Sequence, residues 1–80
     1  PSFIGKLAMM LDDQTAAPYV AWSSTGDSII VINPSLFATQ VLPRYFKHSN
    51  FASFVRQLNL YGFHKTSQES ETCEFAHPMF

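Results

Sequence analysis

In the stretch Phe51-Ala52-Ser53-Phe54-Val55-Arg56-Gln57-Leu58-Asn59-Leu60-Tyr61, the only charged side chain is Arg56. At about 100° per residue, Phe51, Phe54, Val55, Leu58 and Tyr61 fall on one side of a helix; Ser53, Arg56 and Leu60 fall on the other, flanked by Ala52, Gln57 and Asn59. A guanidinium offers two parallel N–H donors, which match the O6 and N7 acceptors on the major-groove edge of guanine. Small Ala52 and Ser53 let the helix backbone come close to something large. No acidic residue lies within a helical turn of Arg56 in sequence, which weakens the plain alternative of a surface ion pair.

Around this arginine stand groups suited to phosphate oxygens: Ser53, Asn59, Lys47 and Lys65, with Asn50 and Ser49 at the start of the helix able to add backbone donors. Such contacts position a protein on a nucleic acid without reading its sequence. Gln57 and Asn59 have amides that can read adenine, though each is equally well a solvated helix residue. Leu60 can meet a thymine methyl or a sugar.

The net charge of −1 is unusual for a nucleic-acid binder, but its distribution is uneven. Arg44, Lys47, Arg56 and Lys65 occupy a stretch free of acids; Asp12, Asp13 and Asp27 precede it, opposed by Lys6, and Glu69, Glu71 and Glu74 follow it. A polarised domain of this kind can turn one basic face to an anionic partner.

Other chemistries have thin support. His48, His64 and His77 are far apart, with no nucleophile elbow or phosphate loop, so no enzyme is expected. Cys73 and His77 lack two further ligands at zinc spacing, and neither metal nor cofactor is expected. Cys73 reads as a small core hydrophobe and, being the one cysteine, suits a reducing compartment such as cytosol or nucleus. No apolar run approaches a membrane span, no signal peptide opens the chain, and no membrane partner is expected.

The elements that must hold these residues follow from local pattern. Eighty residues, 46% of them hydrophobic, suffice for one core and one domain spanning 1–80, read as a piece excised from a longer protein. Ser2 caps a first helix with Phe3, Ile4, Leu7, Met10 and Leu11 at helical spacing, ending near Asp12 and Asp13. Tyr19 to Trp22 and Ser28 to Ile32 read as strands of a hairpin turning at Gly26-Asp27. Asn33 or Ser35 starts a second helix, which Pro43 kinks or bulges. His48-Ser49-Asn50 breaks the chain, Phe51 to Tyr61 forms the third helix, and Gly62 stops it. Two helices joined by so short a turn suggest helix-turn-helix. Phe63 to Thr66 and Cys73 to Phe75 are short strands around a polar tip, the outline of a wing.

The run Val41-Leu42-Pro43-Arg44-Tyr45-Phe46-Lys47-His48-Ser49-Asn50-Phe51-Ala52-Ser53-Phe54-Val55-Arg56-Gln57-Leu58-Asn59-Leu60-Tyr61-Gly62-Phe63 closely resembles the heat-shock-factor DNA-binding domain. The likeness extends to Phe3, Lys6-Leu7, Trp22, Glu74-Phe75, His77-Pro78 and Phe80, and the forms around Lys47-His48-Ser49-Asn50-Phe51 and Phe63-His64-Lys65 look like fungal members. The resemblance implies an α+β fold, a winged helix-turn-helix with a three-helix bundle on a small four-stranded antiparallel β-sheet. It implies a nuclear transcription factor recognising inverted GAA repeats in double-stranded DNA. Arg56 matches the guanine-reading arginine, and Ser53, Asn59, Lys47 and Lys65 match positions near the DNA backbone, with Tyr61 and His48 beside them. Family members usually form a homotrimer through a coiled coil downstream, so affinity comes from linking several domains.

Two departures from the family pattern carry consequences. His64 stands where animal members commonly have arginine, implying a weaker or pH-dependent phosphate contact. The segment from Thr66 to Glu74 is shorter than the usual wing, which bears on cooperation between neighbouring domains more than on recognition. Two alternatives remain open at this stage: a response-regulator transcription factor carrying the same domain, and a protein-interaction module on the same fold.

Overall fold

The structure, a computed structural model, describes residues 2–68 and 72–77. Helix α1 spans Phe3–Leu11 because Ser2, in extended conformation, accepts the Gly5 N–H on its hydroxyl at 3.1 Å, and because Leu7 and Met10 then turn inward to complete burial. A short 3₁₀ turn, Gln14–Ala16, follows. Strands β1 (Val20–Trp22) and β2 (Ser28–Ile32) form the expected antiparallel hairpin, with Val20 opposite Val31 and Trp22 opposite Ile29. Gly26 at its tip has φ +77, a left-handed conformation that glycine adopts without a Cβ penalty.

Asn33 is the cap of the next helix. Its backbone is itself left-handed (φ 52), and its side chain accepts the Leu36 N–H. The segment read as one kinked helix is two: α2 (Pro34–Gln40) and α3 (Leu42–Tyr45), separated at Val41, whose φ of −113 departs from helical geometry. Pro43 has no N–H for the carbonyl four residues back, so it is accommodated in the first turn of a new helix rather than inside a continuous one. Helix α4 covers Phe51–Leu60. Gly62 ends it at φ +92, a conformation that favours glycine, and a Cβ there would lie 2.9 Å from His77 Nε2, so the imidazole would have to shift.

Strands β3 (His64–Gln68) and β4 (Thr72–Ala76) complete a single sheet in the order β1-β2-β4-β3, all neighbours antiparallel. The β3–β4 register shifts between Lys65 and Ser67, a bulge in the wing. The wing's tip at 69–71 and the family-like ending at Pro78 and Phe80 lie outside the described residues. Ile29, Val31, Cys73 and Phe75 face the helices from the sheet, and Phe37, Leu42, Phe54 and Leu58 meet them from the other layer. Cys73 is buried as a core residue. The architecture is the winged helix-turn-helix that the sequence leads one to expect, its three-helix layer made of α1, the broken α2–α3 unit and α4 on the four-stranded sheet.

Candidate nucleic-acid interface

Helix α4 is held from beneath by aromatic packing. Phe54 is buried, and its ring centroid lies 5.1 Å from that of Phe37, 5.9 Å from Phe46, 6.0 Å from Phe3 and 6.2 Å from Phe51. Phe3, Phe37 and Phe46 bring these tilted contacts from α1, α2 and the end of α3, while Phe51 belongs to α4 itself, and together they fix the helix's rotation as well as its position. Leu58, also buried, repeats the anchoring one turn later. At the start of the helix, Asn50 Oδ1 accepts the Ser53 N–H at 3.1 Å, while the Asn50 N–H donates to His48 Nδ1. One backbone donor that the sequence offers to an anion is thus already engaged, and Asn50 serves first as a cap.

With that side fixed, the opposite side is left to solvent. Ala52, Ser53, Arg56, Gln57, Asn59 and Leu60 are all exposed, Leu60 at 71%. Arg56 sits mid-stripe, one turn after Ala52 and Ser53 and one before Asn59 and Leu60, and makes no ion pair or side-chain hydrogen bond among the described residues. An arginine held on a rigid helix with its donors unspent is suited to a bidentate acceptor.

A cleft of about 420 Å³ opens along one edge of this stripe. Lys47, His48, Gln57 and Tyr61 line it, so four of the sequence-derived candidates meet in one place. Lys6 of α1 meets them there, a residue that enters the sequence reading only through the charge balance and the family likeness, with no site role. The heptad-like spacing of α1 assigns Leu7 and Met10 to the core, but nothing local reveals that Lys6 faces α4. His64 and Lys65 stand apart on β3, both exposed.

Two expectations need correction. Tyr61, placed by helical periodicity on the core side, is 43% exposed. The helix has ended by that residue (φ −96, ψ 9), so the ring leaves the wheel and stacks on Phe3 at 5.2 Å. Arg44, counted in the acid-free basic run, is not an unspent charge. Its guanidinium donates to Thr15 Oγ1 at 2.6 Å and lies 3.6 Å from Asp13 Oδ2. The Tyr45 hydroxyl donates to the same Asp13 carboxylate, and Thr15 donates to it through N–H and hydroxyl. Hydrogen bonds from Tyr45 and then Thr15, with the nearby Arg44 charge adding less, hold the Asp13 carboxyl down at about 2, against an ordinary 3.8. The same bond raises the Tyr45 phenol.

Comparison with known proteins agrees with this geometry. The HSF-type DNA-binding family profile matches residues 3–80. The heat shock transcription factor of Kluyveromyces lactis is 55% identical over 65 residues, 81% of this chain and 10% of its own length. That of Cryptococcus neoformans is 47% identical over 90 residues, covering all of this chain and 12% of the relative. The chain thus spans about a tenth of the length of these curated relatives. Among solved structures, a heat shock transcription factor/DNA complex superposes with a TM-score of 0.87 at 49% identity, over 96% of this chain and 94% of the other. Chaetomium thermophilum Skn7 crystallised with HSE DNA gives 0.88 at 49% over 98% and 84%, and the same protein with SSRE DNA gives 0.90 at 46% over 100% and 86%. The chain belongs to the HSF-type DNA-binding family.

Proposed function

We propose that residues 1–80 form one sequence-specific DNA-binding domain of a longer transcription factor, and that α4 enters the major groove of inverted GAA repeats with Arg56 bidentate to guanine. The observation that carries this reading is the state of Arg56: exposed, unpaired among the described residues, central on an otherwise uncharged stripe, and mounted on a helix locked by Phe54. Ser53, Asn59 and Gln57 flank it within reach of bases or phosphates. Lys47, His48 and Tyr61 form the cleft edge toward one strand, Asn50 holds the entry of the helix, and His64 and Lys65 extend the contact from β3. The domain acts in the nucleus, and the parent protein is a homotrimer through a coiled coil outside this chain, each domain taking one repeat.

A second reading has its own support. The likeness to Skn7, crystallised with SSRE DNA as well as with HSE DNA, favours a parent that takes a second DNA element, and a response-regulator transcription factor carrying the same domain is the alternative parent of that kind. Fluorescence anisotropy of labelled duplexes, GAA-repeat against scrambled, tests the first reading. Wild type prefers the GAA duplex, and Arg56→Ala loses about 1–3 kcal/mol of that preference. Equal weak binding to both, indifferent to Arg56, contradicts the assigned mechanism and favours a protein-interaction module.

A further inference from the structure

We infer that the cleft between α1 and α4 is a phosphodiester seat, and that Lys6 of α1 is a DNA-backbone clamp; this rests on the DNA-binding reading above. Lys6 Nζ lies 5.8 Å from the centroid of the Phe46 ring, a cation–π approach that holds the ammonium of this half-buried side chain at the cleft. Lys47 contributes a second ammonium to the same cleft. No carboxylate lines it, and neither lysine forms an ion pair among the described residues.

Two like charges sharing one concave surface repel each other, and focus a positive potential there that an anion relieves. Gln57 and Tyr61 also line the cleft, and Gln57 is the sequence neighbour of Arg56 on the exposed stripe. An anion in the cleft therefore lies at the edge of whatever Arg56 touches. For a duplex entered by α4, the anion at the groove's edge is a backbone phosphate. Phe3 and Phe46 supply an apolar flank for the attached sugar. The clamp gives α1, a helix otherwise devoted to the core, a direct part in setting the angle at which α4 lies in the groove.

The test is anisotropy on GAA-repeat and scrambled duplexes across a salt series, with thermal unfolding in parallel, for wild type, Lys6→Gln and Lys6→Arg. Loss of one phosphate contact lowers the slope of log affinity against log salt by about one, which amounts to roughly tenfold in affinity at 0.1 M salt, equally on both duplexes. Lys6→Gln is expected to give that result with little change in Tm, and Lys6→Arg to retain the wild-type slope. An unchanged slope in Lys6→Gln overturns the inference, as does an affinity loss that is the same at every salt and accompanied by a lowered Tm. Inorganic phosphate that binds the DNA-free domain in a Lys6-dependent way, while the salt slope of duplex binding is the same in wild type and Lys6→Gln, reassigns the cleft to a free anion and also overturns it. Absence of GAA preference in wild type, with the Lys6-dependent slope intact, contradicts the base-reading mechanism alone.

Discussion

Arg44 and Arg56 lie on successive helices, α3 and α4, twelve positions apart in one acid-free run, yet the fold gives them opposite tasks. Arg44 reaches back to the 3₁₀ turn, where Thr15 and Asp13 take its donors and Tyr45 joins the same carboxylate. Arg56 forms no ion pair among the described residues and stands on a helix whose buried side is spent on aromatic packing. The difference teaches that a basic residue's role is set less by its neighbours in sequence than by which acids the core brings near. Arg44 ties α3 to the turn after α1, and so helps hold the platform on which α4 rests. Arg56 is free to spend its donors on a partner.

The comparison breaks most severely if the platform under Arg56 is removed. Phe54→Ala deletes the ring on which four others converge, and costs about 3–5 kcal/mol in urea unfolding, with DNA preference lost along with the fold. Removing the tied arginine is milder. Arg44→Ala costs at most about 1 kcal/mol of stability, because the pair is partly solvated, and leaves the salt slope of DNA binding as in wild type. A lowered slope in that variant would mean that Arg44 also meets phosphates.

The smallest effect is the proton linkage at Asp13. Its folded-state pKa of about 2 lies below the ordinary 3.8, so its ionised form stabilises the fold at pH above roughly 4, and this contribution fades as pH falls toward 2. Asp13→Asn therefore flattens the dependence of Tm on pH across that window. An unaltered acid limb would show that the cluster is not coupled to folding.

Much of this was legible in sequence, where the determinant is local. The break at His48-Ser49-Asn50 and the stop at Gly62 mark the ends of α4; Gly62 acts as the pattern says, at a positive φ, whereas Asn50, read as a source of backbone donors, caps the helix with its side chain. The hairpin follows from the β-branched run Ile29 to Ile32 beyond Gly26-Asp27. What escaped depends on contacts distant in sequence. Arg44 meets Asp13 across a span no helical wheel covers, and Lys6 joins Lys47 only because α1 packs beside α4. Tyr61 was misplaced for a subtler reason: the wheel assumes that the helix continues, and the chain leaves helical geometry at that residue. The break likewise falls at Val41, two residues ahead of the proline that the pattern marks, because Pro43 fits the first turn of a new helix.

The most direct test of the central claim is a thermodynamic cycle that pairs Arg56→Ala with replacement of the guanine of one GAA repeat by 7-deazaguanine, which lacks only the N7 acceptor. If Arg56 reads that guanine, the analogue weakens wild-type binding by about 1–2 kcal/mol and leaves Arg56→Ala nearly unaffected, so the two changes couple. An analogue that weakens both proteins equally would mean that the guanine is read by another group, or only through the shape of the duplex, and would contradict the assignment of Arg56.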